Sequence, residues 1–124
     1  MTDLDMTKLC AEAMGLKFIV SHDRYSNSNF VELNSGRDPG NEGAYDPLHD
    51  DAQAMALVKK CHLHIDTFSD GTWLVDGGWH GKIERIDPDL NRAIVECIAK
   101  MQQAKQEHDQ GGFMKNVRGP TVAS

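Results

Sequence analysis

The sequence predicts an α+β domain: an antiparallel sheet of three to four strands, arranged as a meander, packed with two to three helices. Three observations carry this. Apolar residues recur at helical spacing near both ends, at Met6, Leu9, Cys10, Ala13 and Met14 and again at Leu90, Ile94, Cys97, Ile98 and Met101. Between them, His62 to Thr67 alternates polar and apolar with a period of two, followed by the breakers Ser69-Asp70-Gly71 and Asp76-Gly77-Gly78. The length, 124 residues, suits one domain with one core.

Each element has its own local signals. Asp3 or Asp5 is expected to cap the first helix, and Gly15 stands where a left-handed residue would end it. Leu16-Lys17-Phe18-Ile19-Val20 then has strand character. Residues 21–45 are dense in Ser, Asn, Asp, Gly and Pro and predict a long polar loop, with Phe30-Val31-Glu32-Leu33 as a short edge strand inside it. Asp46 as N-cap and Pro47 at the first helical position predict a second helix, with Asp50 and Asp51 near its positive end. Leu48, Ala52, Met55, Ala56 and the Lys59 stem would form its buried face, widened by Leu57 and Val58. Strands follow around Leu63, Ile65 and Thr67, over Thr72-Trp73-Leu74-Val75, and within 79–86. Asp87 as cap and Pro88 as first residue open the last helix. The sequence turns polar after Gln103, and Gly111-Gly112 predicts a break. The domain is therefore expected over 1–105, with a flexible tail over 106–124.

Composition narrows the function classes. No apolar run is long enough to span a bilayer, and the acidic start carries no apolar leader. Cys10, Cys61 and Cys97 are odd in number and unpaired in spacing, which predicts buried thiols in a reducing, cytoplasmic setting. Residues 1–51 carry ten acids against four bases, while 52–124 carry nine of each, so the whole formal charge of −6 lies in the first part. No basic stripe suited to phosphate appears, and nucleic acid is not expected as a partner. An acidic face suits a basic protein instead.

The richest grouping of ligand-type side chains is His49-Asp50-Asp51 together with His62, His64 and Asp66. On a strand the last three would share one face, a spacing that lets neighbouring histidines hold a metal. A solvated strand face is the simpler explanation and the sequence does not fix the remaining ligands, so no metal or other cofactor is expected; the alternative function is a small metal- or ligand-binding domain built on these histidines. No nucleophile elbow, phosphate-binding loop or dinucleotide fingerprint is present. Asp50, Asp66, Asp76 and Glu84 are carboxylates available for acid–base work, but spacing selects no pair. Trp73 and Trp79, with His80 beside the latter, flank a glycine-rich turn and are the candidate interaction surface.

Tyr45-Asp46-Pro47-Leu48-His49-Asp50-Asp51-Ala52-Gln53-Ala54-Met55-Ala56-Leu57-Val58 is the most telling stretch. With Leu9-Cys10-Ala11-Glu12-Ala13-Met14-Gly15 and Arg92-Ala93-Ile94-Val95-Glu96-Cys97-Ile98-Ala99, it resembles the phage ABA sandwich domain family over residues 4–102. The resemblance implies a helix–meander–helix domain in a phage or prophage accessory protein of the bacterial cytoplasm. It brings no agreed activity and no catalytic residues; with the small size and the lack of a catalytic motif, it leads to the expectation of a non-enzymatic protein acting through a protein partner or self-association.

Overall fold

Thr2 opens the first helix. Its hydroxyl accepts the Asp5 backbone N–H at 3.1 Å, and the Asp5 carboxylate accepts the Thr2 N–H at 3.3 Å. The cap expected at Asp3 or Asp5 thus moves to Thr2, and Asp5 closes the same capping box from three residues along. The computed structural model describes residues 1–34, 42–77 and 83–117, and for 107–117 the course of the helix alone. The first helix, α1, spans Asp3–Ala13 and buries Met6, Thr7, Cys10 and Ala11. Gly15 ends it as expected, at φ 71°. The Gly15 N–H reaches the Glu12 carbonyl and the Leu16 N–H the Ala11 carbonyl, which satisfies two orphan acceptors.

Residues 21–45, expected as a polar loop, instead build most of a sheet. Strands β1 (Phe18–Asp23), β2 (Ser28–Asn34) and β3 (Glu42–Tyr45) pair antiparallel in that order, with Val20 opposite Val31, Phe18 opposite Leu33, and Val31 opposite Tyr45. The polar residues that suggested irregular chain have specific tasks here. The Asp23 carboxylate accepts the Tyr25 N–H and the Ser26 hydroxyl, both at 2.9 Å, and Asn27 takes the left-handed conformation, which closes a tight hairpin. Ser21 donates to Glu32 at 2.7 Å, and the His22 ring pairs with Asn29 at 3.0 Å, across the two strands. Val31, Leu33 and Tyr45 alternate onto the core face and are buried. Burying aliphatic side chains such as Val31 and Leu33 contributes about 1.5–3 kcal/mol each.

The second helix starts later than Asp46-Pro47 predicts. Residues 46–49 make a turn, with the His49 N–H on the Asp46 carbonyl at 3.0 Å, and α2 spans Asp51–Cys61 with Asp50 as its N-cap. The Asp50 carboxylate accepts the Gln53 N–H at 3.0 Å. Gln53 explains the shift. Its side-chain oxygen accepts the Asp46 N–H and its amide donates to the Ala44 carbonyl at 3.3 Å, which ties the exit of β3 to the helix and leaves Asp46 outside it. The buried face also differs from the expected one. Ala54 and Leu57 are buried, with Val58 and Cys61 partly so, while Ala52 and Met55 face water. Alanines on every side of this helix left its phase open, and packing against the last helix settles it.

The meander is as predicted. Strands β4 (His64–Thr67), β5 (Trp73–Gly77) and β6 (Ile83–Asp87) pair antiparallel in sequence order. Asp70 accepts the Thr72 N–H at 3.0 Å, and Gly71 sits at φ 90° in the turn between β4 and β5. The α+β class stands, but among the described residues the strands form two three-stranded sheets rather than one sheet of three to four.

Asp87, expected to cap the last helix, instead ends β6 and accepts the Asp89 N–H at 2.8 Å. Asp89 takes over as cap, accepting the Arg92 N–H at 3.3 Å, and α3 spans Leu90–Val117. The helix therefore continues through Gly111-Gly112 and through much of the segment read as a tail. A helix already nucleated adds one hydrogen bond per residue, and glycine costs only about 1 kcal/mol against alanine, so two glycines do not by themselves stop it.

The stripe of Leu90, Ile94, Cys97, Ile98 and Met101 is on the core as predicted, but Ala93, Val95 and Ala99 are buried as well. A stretch buried on several faces belongs to a central helix. The neighbours agree: α3 packs on β5 and β6, on α1 and on α2, while α1 also touches β2.

Candidate interaction surface

The histidines do not converge as a strand would bring them. His62 is the C-cap of α2, in the left-handed conformation at φ 55°, and its N–H reaches the Val58 carbonyl. It lies outside β4, so only His64 and Asp66 share the strand face. A left-handed residue favours glycine by the absence of a Cβ clash. His62→Gly is expected to raise stability by about 0.5–1 kcal/mol, seen as a higher denaturant midpoint. A fall in midpoint would mean that the His62 side chain supports the fold in another way.

The outer face of the second sheet holds the closest approach to acid–base chemistry. His64, Asp76 and Glu84 lie in one row across β4, β5 and β6, with the His64 Nδ1 3.3 Å from an Asp76 oxygen. The next row is Asp66, Leu74 and Ile86. His64 is 66% exposed, so water competes for every bond in the row. Of the other candidate carboxylates, Asp50 is a helix cap, and Asp66 accepts the Thr67 N–H at 2.8 Å. Among the described residues no group of three or more His, Cys, Asp or Glu side chains is placed to hold a metal ion.

The cysteines are core residues. The Cys10 thiol donates to the Val95 carbonyl and the Cys97 thiol to the Ile83 carbonyl, each at 3.7 Å. Burial pushes both thiols up to about 12, and raises half-buried Cys61 as well, so none is an activated thiolate at neutral pH. Trp73 is half-buried on the same face of β5 as buried Val75 and Gly77. Trp79 and His80, the rest of that candidate surface, lie outside the described residues.

Acidic residues gather where the three helices start. The Arg92 guanidinium reaches Asp3 at 3.1 Å, and Asn91 donates to Asp51 at 2.8 Å. The hydrogen bond to Asp46 raises the His49 pKa above its ordinary 6.5, with smaller help from the Asp46, Asp3 and Asp89 charges. Exposed helix N-termini carry unsatisfied N–H groups and positive dipole charge, which accounts for this acidity locally. A groove of about 400 Å³ between α1, α3 and β6 has the opposite character, lined by Arg85, Arg92 and Lys100. Two of its cations are already engaged: Arg85 and Arg92 each reach Glu96 at 3.4 Å, and Arg92 also reaches Asp3 at 3.1 Å.

Three exposed carboxylates and His49 give the pH dependence of the fold a definite sign. The Thr2 backbone N–H and hydroxyl hold Asp5 below its ordinary 3.8; the Tyr25 N–H and Ser26 hydroxyl do so for Asp23, and the Thr72 hydroxyl and N–H for Asp70. A depressed carboxylate contributes stability above its unfolded value and loses it as pH falls through the folded value. His49 has the opposite sign, contributing below 6.5 and losing its share as pH rises through its raised pKa. The thermal midpoint is therefore expected to fall below about pH 4 and to slip slightly above about pH 7. Midpoints measured across this range check it, and a flat acid limb would contradict the carboxylate assignment.

The strands expected at 16–20 and 30–33 overlap β1 and β2, but the sequence did not show that they pair as a hairpin, with β2 in the centre of a sheet rather than at its edge. Strand β1 is an edge that, among the described residues, pairs with β2 alone. Adjacent Ile19 and Val20, on opposite faces, are 48% and 44% exposed, and Tyr25 at the hairpin tip is fully exposed. Only Phe18, at the near end of the strand, packs against the core. Three exposed apolar side chains on one projecting hairpin, beside a row of open backbone N–H and C=O groups, make a surface suited to another chain. The signal was available in Phe18-Ile19-Val20, but its exposure depended on the sheet beyond it. No helix among the described residues is long and apolar enough to cross a membrane. Comparison with protein-family models, curated proteins and solved structures returned no match.

Proposed function

We propose that the chain is a non-enzymatic binding domain, of the phage accessory kind, that works through protein–protein contacts at the open edge of β1. The observation that carries this is the pair Ile19 and Val20, both exposed on an edge strand that carries no lysine, arginine, aspartate or glutamate before its last residue, Asp23. Folded proteins commonly protect such edges with a central lysine, a proline or a bulge. Here the charges stand apart from the middle, Lys17 just before the strand and Asp23 at its last residue. A partner strand would gain main-chain hydrogen bonds along the edge and apolar contacts on both faces.

A second reading, an acidic inhibitor of a basic host protein, draws on the acidity around the helix starts. Those carboxylates already serve as caps or pair with Arg92 and Asn91, so the edge is favoured. The readings separate by salt. Binding through the edge should survive about 0.5 M salt, whereas binding through exposed charge should collapse. The test uses the full chain immobilised against a bacterial lysate, together with its mass in solution. The wild type is expected to self-associate or to retain a specific protein, and Ile19→Lys to lose this while melting at the same temperature. A chain that stays monomeric and retains nothing specific would sink the proposal.

A further inference from the structure

We propose that the partner of the β1 edge is a second copy of this chain, paired antiparallel about a two-fold axis at Val20, so that the first sheets of the two copies join. This rests on the protein-contact reading above and names its partner. An antiparallel ladder alternates hydrogen-bonded and non-bonded rungs, so a two-fold axis between identical strands always sets one residue opposite its own copy. The choice of that residue decides which charges meet.

With Ile19 on the axis, Lys17 faces Ser21 of the second copy and Asp23 passes beyond the strand. With Ser21 on the axis, Ile19 faces Asp23, an apolar residue against a carboxylate. With Val20 on the axis, Lys17 faces Asp23, twice by symmetry; Phe18 faces His22, and Ile19 faces Ser21. Only this register makes the edge complementary to itself in charge. Side chains alternate along a strand, so Ile19, Ser21 and Asp23 share the face turned from the core; Lys17, the residue before β1, joins that face when the pairing extends by one residue, and each ion pair then flanks an exposed Ile19. Val20 meets its own copy on the other face. Asp23 retains lone pairs for Lys17 beyond those taken by the Tyr25 N–H and the Ser26 hydroxyl.

Sedimentation velocity on the full chain, from about 1 to 300 µM, tests this by mass action. The wild type is expected to pass from monomer to dimer. Val20→Lys sets two ammonium groups opposite each other and should weaken the dimer by at least about tenfold, with little change in the thermal midpoint read at about 1 µM, where the chain is monomeric, because position 20 is exposed. Lys17→Asp should weaken it similarly. Adding Asp23→Asn to that variant keeps an acceptor for the hairpin turn, removes the facing negative charge and should recover part of the loss. Met55→Lys, on the exposed face of α2, should leave the dimer intact. A wild type that stays monomeric overturns the inference, as does a dimer indifferent to Val20→Lys. If the monomeric chain still captures another protein through Ile19, the second-copy inference falls and the protein-contact reading stands. If it captures nothing, both fall.

Discussion

Ile94→Ala is expected to lower the stability of the domain by about 2–5 kcal/mol. Ile94 has no exposed surface, and it sits in the part of α3 that packs against helices and strands on several sides. Truncation removes its transfer free energy and leaves a cavity whose walls cannot close, since each wall belongs to a different element held by its own contacts. Against a total stability of about 5–15 kcal/mol for a domain of this size, that is a large share. The measurement is a denaturant titration, read as a lower midpoint at unchanged slope. Ile86→Ala is the matched control. Ile86 is 55% exposed on the outer face of β6, and its loss should cost about 0.5 kcal/mol or less. Equal effects at the two positions would remove α3 from the centre of the core.

Gly77→Ala is expected to cost about 1–3 kcal/mol, although it adds only one methyl group. Gly77 ends β5 facing the core, and a Cβ there would stand 2.5 Å from the Leu63 Cδ2 and 3.0 Å from the Met101 sulfur. The strand and α3 thus approach more closely than any side chain at this position allows. Leu63 and Met101 can rotate, which keeps the cost below that of a clash with backbone, but both help to fill the core that they would vacate. A double-mutant cycle isolates the effect. Gly77→Ala combined with Leu63→Ala should destabilise less than the sum of the two, because removing the leucine end makes room for the methyl. Strict additivity would mean that the close approach does not carry the cost.

The same residue shows where sequence reasoning stops. Gly77 beside Gly78 is a turn signal, and locally that is a fair inference. That the glycine is required by α3 pressing on the strand is a fact about two elements distant in sequence. The capping sites show a smaller version. Asp46-Pro47 and Asp87-Pro88 both carry a good helix start, and in both places a later aspartate takes the cap. In the first, Gln53 holds Asp46 to the end of β3; in the second, Asp87 is the last residue of β6. The shared face expected for His62, His64 and Asp66 is broken for the same kind of reason, since the alternation begins at His62, the cap of α2, two residues before β4.

Periodicity and local stereochemistry were sufficient for the meander, for α1 and its glycine end, and for the core stripe of α3. Those features depend on contacts within a few residues, where side-chain geometry leaves few choices. The division of the strands into two sheets, the phase of α2, the central place of α3 and the exposure of Ile19 and Val20 were decided by packing. A polar hairpin such as residues 18–34 carries the same turn residues as an irregular loop, and only the burial of Val31, Leu33 and Tyr45 against the rest of the domain makes it a sheet with an open edge.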